Sequence, residues 1–202
     1  MTACTSMAAS RPCPSDEQLL ERFAAGERQA LDDLFRRYRQ PAFRVAFRLL
    51  GNEADALDAV QDGFIKALTH LQGFQGRSSF KTWLLRVVSN AALDLGRQRG
   101  RRETLSLDSA RSNDGPEVVP QQLLSADESG LGLERADLRV QLNAALATLS
   151  EPQRQAFVLY ADAGLSYREV ADVMGTSIGT VMSRLYYARQ KLRAFLSAGQ
   201  EP

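Results

Sequence analysis

A single histidine, His70, and two cysteines, Cys4 and Cys13, are all the His and Cys that the 202 residues contain. Both cysteines lie in the first 14 residues, a small, polar stretch with two prolines that reads as a disordered tail. A structural zinc ion takes about four Cys or His ligands, so no such site is expected, and no disulfide framework either. Paired carboxylates, a nucleophile elbow and a phosphate-binding glycine loop are also missing. With no metal or cofactor expected, the sequence reads as a non-catalytic protein. His70 falls beside Leu68 and Leu71 at a helix end and reads as structural. No apolar run approaches the roughly 20 residues of a membrane span. The N-terminus lacks the charged start and apolar block of a secretory signal. The expectation is a cytoplasmic protein without membrane insertion. Period-2 alternation is absent as well, which removes the β-sheet as an organising element.

An excess of either charge is also absent: 25 Lys and Arg stand against 24 Asp and Glu, for a net value of +1. Its distribution says more than its sum. From Asp16 to Arg102, 15 Arg and Lys stand against 11 Asp and Glu. Residues 103–134 carry seven acids and one base, Arg111, and from Arg135 onward there are eight bases and six acids. Two mildly basic blocks flank an acidic connector.

What is present is helical periodicity. Ser15 can cap a first helix with Leu19, Leu20 and Phe23, ended by Gly26. Ala30, Leu31, Leu34, Phe35 and Tyr38 repeat at helical spacing. Pro41 is placed to open a further helix, closed by Gly51-Asn52. Leu57, Val60, Phe64, Ile65 and Leu68 mark another, and after a loop at 73–79 a last one carries Phe80, Trp83, Leu84, Val87, Val88, Ala91 and Leu95. Periodicity stops at Glu103, resumes at Leu138, and restarts at Ser150-Glu151-Pro152. The fold class is therefore all-α. Two small helical domains, 15–102 and 135–197, are joined by a flexible acidic linker at 103–134, behind the tail at 1–14.

Ser166-Tyr167-Arg168-Glu169 is a capping box, and Gly175-Thr176-Ser177 makes a turn into a second helix beginning at Ile178. At roughly 100° per residue, Ile178, Val181, Leu185 and Ala188 share one face of that helix. Gly179, Ser183, Tyr186, Tyr187 and Gln190 lie opposite, with Thr180, Met182 and Arg184 at the edges and Ser177 at the cap. Small polar groups near base edges with cations for phosphates suit a helix-turn-helix on duplex DNA. An ordinary helical hairpin with a solvated face explains less, because the face that should be wet carries two tyrosines. A repressor or activator that binds operators as a dimer could use the same element.

A second segment interleaves aromatics, small residues and cations: Phe74, Gln75, Gly76, Arg77, Ser78, Ser79, Phe80, Lys81, Trp83 and Arg86, followed by Asn90 and Arg97. Exposed rings stack on unpaired bases and cations track the backbone. A core role for Phe80 and Trp83, with the arginines as a solvated helix end, fits equally well from these residues alone.

Taken in order, the motifs Asp58-Ala59-Val60-Gln61-Asp62-Gly63-Phe64-Ile65-Lys66-Ala67, Phe74-Gln75-Gly76 through Trp83-Leu84, Asn90, Gly164 through Ala171, and Gly179 through Leu185 give the chain a family likeness. From Asp16 to Leu196 it resembles the extracytoplasmic-function (ECF) sigma factors, the small two-domain branch of the sigma-70 family. The resemblance implies a non-catalytic specificity subunit that binds core RNA polymerase through its beta-prime and beta subunits and recognises promoter DNA. It implies a polymerase contact on the helix with Asp58, Gln61, Asp62 and Phe64. It implies capture of a flipped minus-10 base by the Phe74–Lys81 loop, and melting assisted by Asn90. The minus-35 element would be read by the helix-turn-helix, and an anti-sigma factor is an implied partner. No sensor extension is expected after Leu196. A sigma-like protein that binds polymerase or an anti-sigma factor but no promoter is the other form of this reading. Gln75 stands where the family often has Arg, and Met182 and Tyr187 stand where its recognition helix is usually more polar. These departures bear on promoter sequence rather than on fold.

Overall fold

The computed structural model describes residues 14–74, 76–107 and 132–198. Cys4, Cys13, Gln75 and the acidic stretch 108–131 lie outside the described residues. Among the described residues every regular element is helical, as the periodicity predicts, and the chain divides into two compact units at Tyr38.

The first unit holds α1 (Asp16–Ala24) and the start of α2 (Arg28–Leu50). Ser15 caps α1 in a full capping box. Its Oγ accepts from the Gln18 N–H at 3.2 Å, and Gln18 Oε1 accepts from the Ser15 N–H at 2.9 Å. Leu19, Ala30, Leu31, Leu34 and Tyr38 form the buried set of this unit. Asp16 accepts from the Tyr38 hydroxyl and from Arg37, which also donates to the Pro14 carbonyl at 2.6 Å. Burial first, and then the bond to a carboxylate, push the Tyr38 phenol far above its ordinary range.

Pro41 does not open a helix. It sits inside α2, which runs without interruption to Leu50. Proline removes one intrahelical donor, but buried residues continue at helical spacing past it through Ala42, Val45, Ala46 and Leu49. Packing along that stripe outweighs the local penalty.

In the second unit, α3 (Glu53–His70), capped by Asn52, lies against α4 (Phe80–Leu107). The buried face of α3 is made of small residues: Ala56, Ala59, Val60, Gly63 and Ala67. Leu57, Ile65 and Leu68, expected on the packed stripe, are instead 37%, 54% and 47% exposed. The reason is proximity. A Cβ on Gly63 would stand 2.9 Å from Val88 Cγ2 and 3.0 Å from Val88 Cα, so only small residues fit between these helices. The helix α4 runs to Leu107, past the expected boundary at Arg102, since no glycine or proline follows Gly100 before Gly115.

Beyond the linker come α5 (Gly132–Ala147), α6 (Glu151–Ala161), α7 (Tyr167–Met174) and α8 (Ile178–Ala198). The first of these starts three residues before the predicted domain limit. Ala145, Leu146, Leu149, Ala188 and Leu192 pack together, with Leu142 and Phe157 against them. Arg154 donates to the Leu49 carbonyl at 3.0 Å and to the Leu149 and Ala147 carbonyls at 3.4 and 3.5 Å. One guanidinium thereby serves carbonyls near two helix C-termini, where cations are favoured.

Candidate nucleic-acid interface

The helix-turn-helix is built as its sequence predicts. Ser166 Oγ accepts from the Glu169 N–H at 3.3 Å, and Glu169 Oε2 accepts from the Ser166 N–H at 2.9 Å and its hydroxyl at 2.7 Å. These bonds, the backbone one foremost, hold the Glu169 carboxyl below its ordinary value. Gly175 takes the left-handed conformation at φ +60° that ends α7, and Ser177 Oγ accepts from the Thr180 N–H at 3.1 Å to start α8. Val181, Leu185 and Ala188 are buried. Ile178, predicted on that face, is 45% exposed: it stands on the first turn, at the edge of the buried stripe.

The outer face of α8 is open. Ser177, Gly179, Ser183 and Gln190 are exposed and Thr180 is half-buried. Met182, Tyr186 and Tyr187 are 54%, 64% and 54% exposed, with the two tyrosine rings edge-on at 5.4 Å. Arg184 departs from the group. It is half-buried and turned toward α7, with Nη1 4.0 Å from Met174 Sδ. A groove along α8 is lined by Tyr167, Met182, Ser183, Tyr186, Tyr187, Arg189, Gln190 and Arg193. Arg189 also lies over the Tyr160 ring at 5.4 Å, and Tyr160 stacks on Tyr167 at 5.1 Å. Tyr167 was not singled out in the sequence; its position as first residue of α7 was the available signal.

The second predicted segment folds around an aromatic cluster. Phe74, Phe80 and Trp83 have ring centroids 5.2 to 6.1 Å apart. Phe80 is only 2% exposed, so it forms the floor of the cluster, whereas Phe74 and Trp83 are half-buried. Gly76 turns the loop at φ +65°. Arg77 is exposed, and Ser78 and Lys81 are half-buried. Ser79 has a structural task, since its Oγ accepts from the Thr82 N–H at 3.1 Å at the start of α4. Along α4, Trp83, Arg86, Asn90 and Arg97 recur at spacings of three, four and seven, which places them on one stripe. Arg86 and Asn90 are exposed. Arg97 is held by Glu151 at 2.5 Å and approaches Asp94 at 3.7 Å.

Thr82 was missed, because a threonine inside a helix carries no sequence signal. Its hydroxyl donates to Glu169 Oε1 at 2.8 Å, so Ser79, 2.8 Å from the same oxygen, is the donor in that second pair. The two predicted readers therefore touch. A cleft between them is lined by Arg77, Ser78, Thr82, Trp83 and Arg86 from one and by Arg168, Asp172 and Thr176 among others from the other.

On α3, Asp58, Gln61 and Asp62 are exposed and Phe64 is half-buried. Together with Leu57, Ile65 and Leu68 they give the helix an outer face of large apolar and acidic residues.

Residues 34–102 match the family model for sigma-70 region 2, and residues 139–192 match that for sigma-70 region 4. The RNA polymerase sigma-H factor of Pseudomonas aeruginosa is 35% identical over 181 residues, covering 88% of this chain and 91% of that protein. The chain is an ECF sigma factor of the sigma-70 family. The ECF RNA polymerase sigma factor SigE of Mycolicibacterium smegmatis is 36% identical over 179 residues, covering 86% of this chain but only 65% of that longer relative. Among solved structures, the sigma factor RpoE of Bartonella quintana, in complex with the anti-sigma factor NepR, superposes with a TM-score of 0.61 at 30% identity, over 82% of this chain and 97% of that one. Both family segments lie on the two helical sets described above. The sigma factor thus binds core RNA polymerase and promoter DNA and acts in transcription initiation. Among the described residues of the factor, no helix is long and apolar enough to cross a membrane.

Proposed function

We propose that three surfaces of this sigma factor divide the work of initiation. The outer face of α3, with Asp58, Gln61, Asp62 and Phe64 joined by Leu57, Ile65 and Leu68, docks on core polymerase. Large apolar side chains left in water mark a surface that a partner covers, and the carboxylates beside them would form its polar rim. The stripe of Trp83, Arg86 and Asn90 on α4, with Phe74, Gly76, Arg77, Ser78 and Lys81 around its start, holds the unpaired minus-10 strand. Phe80 and Ser79 support that surface from below and at its cap, and Gln75 is assigned to the same strand contact. Arg97 joins it once released from Glu151. The outer face of α8, from Ser177 to Gln190, enters the major groove of the minus-35 duplex.

The observation that carries this division is the open face of α8 behind a capped, glycine-turned α7, on a chain that also exposes a basic and aromatic stripe. The factor supplies specificity and no bond-making chemistry of its own, and it acts in the cytoplasm because its partners, polymerase and chromosome, are there. The domains are 15–102 for core and minus-10 binding and 135–197 for minus-35 binding, with 103–134 as connector. An anti-sigma protein is a further partner, as it is for the Bartonella relative.

Core polymerase supplemented with this factor should start transcription at new positions on genomic DNA, each with a shared upstream element. Asn90→Ala should lower permanganate reactivity of the melted strand without reducing core binding. No new start sites would remove the promoter role, and undiminished melting would remove the assignment of Asn90.

A further inference from the structure

Three side chains on α8 are exposed at consecutive i, i+4 positions: Ile178, Met182 and Tyr186, at 45%, 54% and 64%. They form one apolar strip beside the small residues Gly179 and Ser183. The same flank continues into Arg189 and Arg193, and no acidic residue lines the groove. An apolar strip bordered by cations fits a polyanion that carries methyl groups better than it fits an apolar protein surface.

The major groove can be read in few ways: Arg or Lys on guanine, Asn or Gln on adenine, an apolar contact on the thymine methyl, Glu or Asp on cytosine, and Ser or Thr on several bases. A recognition helix reads with its N-terminal turns. On the first two turns of α8 the only cation is Arg184, which is turned back toward Met174. The only amide on the outer face, Gln190, is 12 residues into the helix, about 18 Å along its axis. No acidic residue stands on these turns, and their hydroxyls are engaged within the helix, Ser177 with Thr180 at 2.9 Å and Ser183 on the Thr180 carbonyl at 2.9 Å. Neither the first two options nor these are therefore available at the leading end. The third is, through Met182, whose long thioether side chain adapts to a methyl surface.

We propose that this factor recognises its upstream duplex element chiefly through thymine 5-methyl groups, with Met182 and Ile178 as the residues that sense them. This rests on α8 being the duplex reader.

The test uses holoenzyme on a promoter recovered from start-site mapping. Each thymine of the upstream element is replaced in turn by deoxyuridine, which removes the methyl and leaves every hydrogen-bonding group in place. Binding is measured at one fixed salt concentration, because phosphate contacts make affinity salt-dependent. At one or more positions affinity should fall about fourfold, the effect of one methyl removed from an apolar contact. Met182→Ala, at an exposed position, should weaken binding to the thymine promoter and abolish the difference between thymine and deoxyuridine. Upstream protection that persists while thymine and deoxyuridine are indistinguishable at every position would overturn the methyl readout and leave α8 as duplex reader. Loss of upstream protection altogether in wild-type holoenzyme would remove both. If Met182→Ala and Ile178→Ala retain full methyl discrimination but lose binding of an anti-sigma protein, the strip is a protein contact and the proposal fails.

Discussion

Gly63 is a point of close approach in the α3–α4 packing, because the atoms a side chain there would meet include the Val88 backbone. Backbone cannot rotate away as a flexible side chain could. Gly63→Ala should therefore cost about 1–3 kcal/mol, the usual penalty of overpacking a core. Gly175→Ala meets nothing within 4 Å and pays only for its left-handed backbone, about 1 kcal/mol. Urea unfolding of the two variants measures both; a Gly63→Ala as stable as wild type would mean that α3 and α4 separate freely. At this scale the sequence was legible wherever chemistry is local. Ser15, Ser166 and Gly175 take the roles that their residue types predict. Phe80 and Ile178 were not legible in the same way, since burial depends on which neighbour covers a ring or a methyl. Phe80 went under Phe74 and Trp83, and Ile178 stayed at the edge.

The helix α3 shows why an element can be placed correctly and faced wrongly. Its limits follow from Asn52 and the run of helix-compatible residues. Its apolar residues, however, make two stripes, one small and one large. Size usually marks the core, but here close approach to α4 reserves the core for Ala and Gly and turns Leu57, Ile65 and Leu68 outward. In α7 the capping box has a pH signature. The Glu169 carboxyl is held below its ordinary value of 4.5 by bonds from Ser166. A carboxylate lowered in the fold adds stability above its unfolded pKa, and that contribution is lost as pH falls through the lower folded value. Glu169→Gln keeps an oxygen for the cap but cannot titrate. Its stability, followed by urea midpoints from about pH 6 down to 3, should decline less steeply below pH 4.5 than that of wild type. Parallel declines would show that Glu169 contributes nothing to acid unfolding.

At the scale of the molecule, the helices before and after the acidic linker meet through polar groups. Thr82 donates to Glu169 and Arg97 pairs with Glu151. Arg48 donates to Asn143 at 2.9 Å and lies 3.8 Å from Asp162, whose carboxyl is raised by burial. None of this was legible in the sequence. A pairing such as Arg97 with Glu151, 54 positions apart, leaves no periodic or motif signal. The exposed Arg97–Glu151 pair is weak and screened by salt, so this end of the contact should open first. Spin labels at Gln98→Cys and Pro152→Cys, the neighbours of the Arg97–Glu151 pair, with Cys4 and Cys13 changed to serine, should report a short distance in the free factor at low salt. The distance should lengthen with salt and in promoter-bound holoenzyme. One unchanged distance in all three would show that the contact is permanent.

The bond between Thr82 and Glu169 has a last implication. Minus-10 and minus-35 elements lie ~25 base pairs apart by their names, roughly 85 Å of duplex at 3.4 Å per step. Two helical sets held together by this bond and by the Arg97–Glu151 and Arg48–Asn143 pairs cannot span that length. With the reading surfaces as proposed above, the folded contact and the promoter-engaged arrangement are mutually exclusive states of one chain. Each interaction across the contact carries opposite signs in the two. It steadies the factor when alone, and by the same amount it disfavours engagement of DNA.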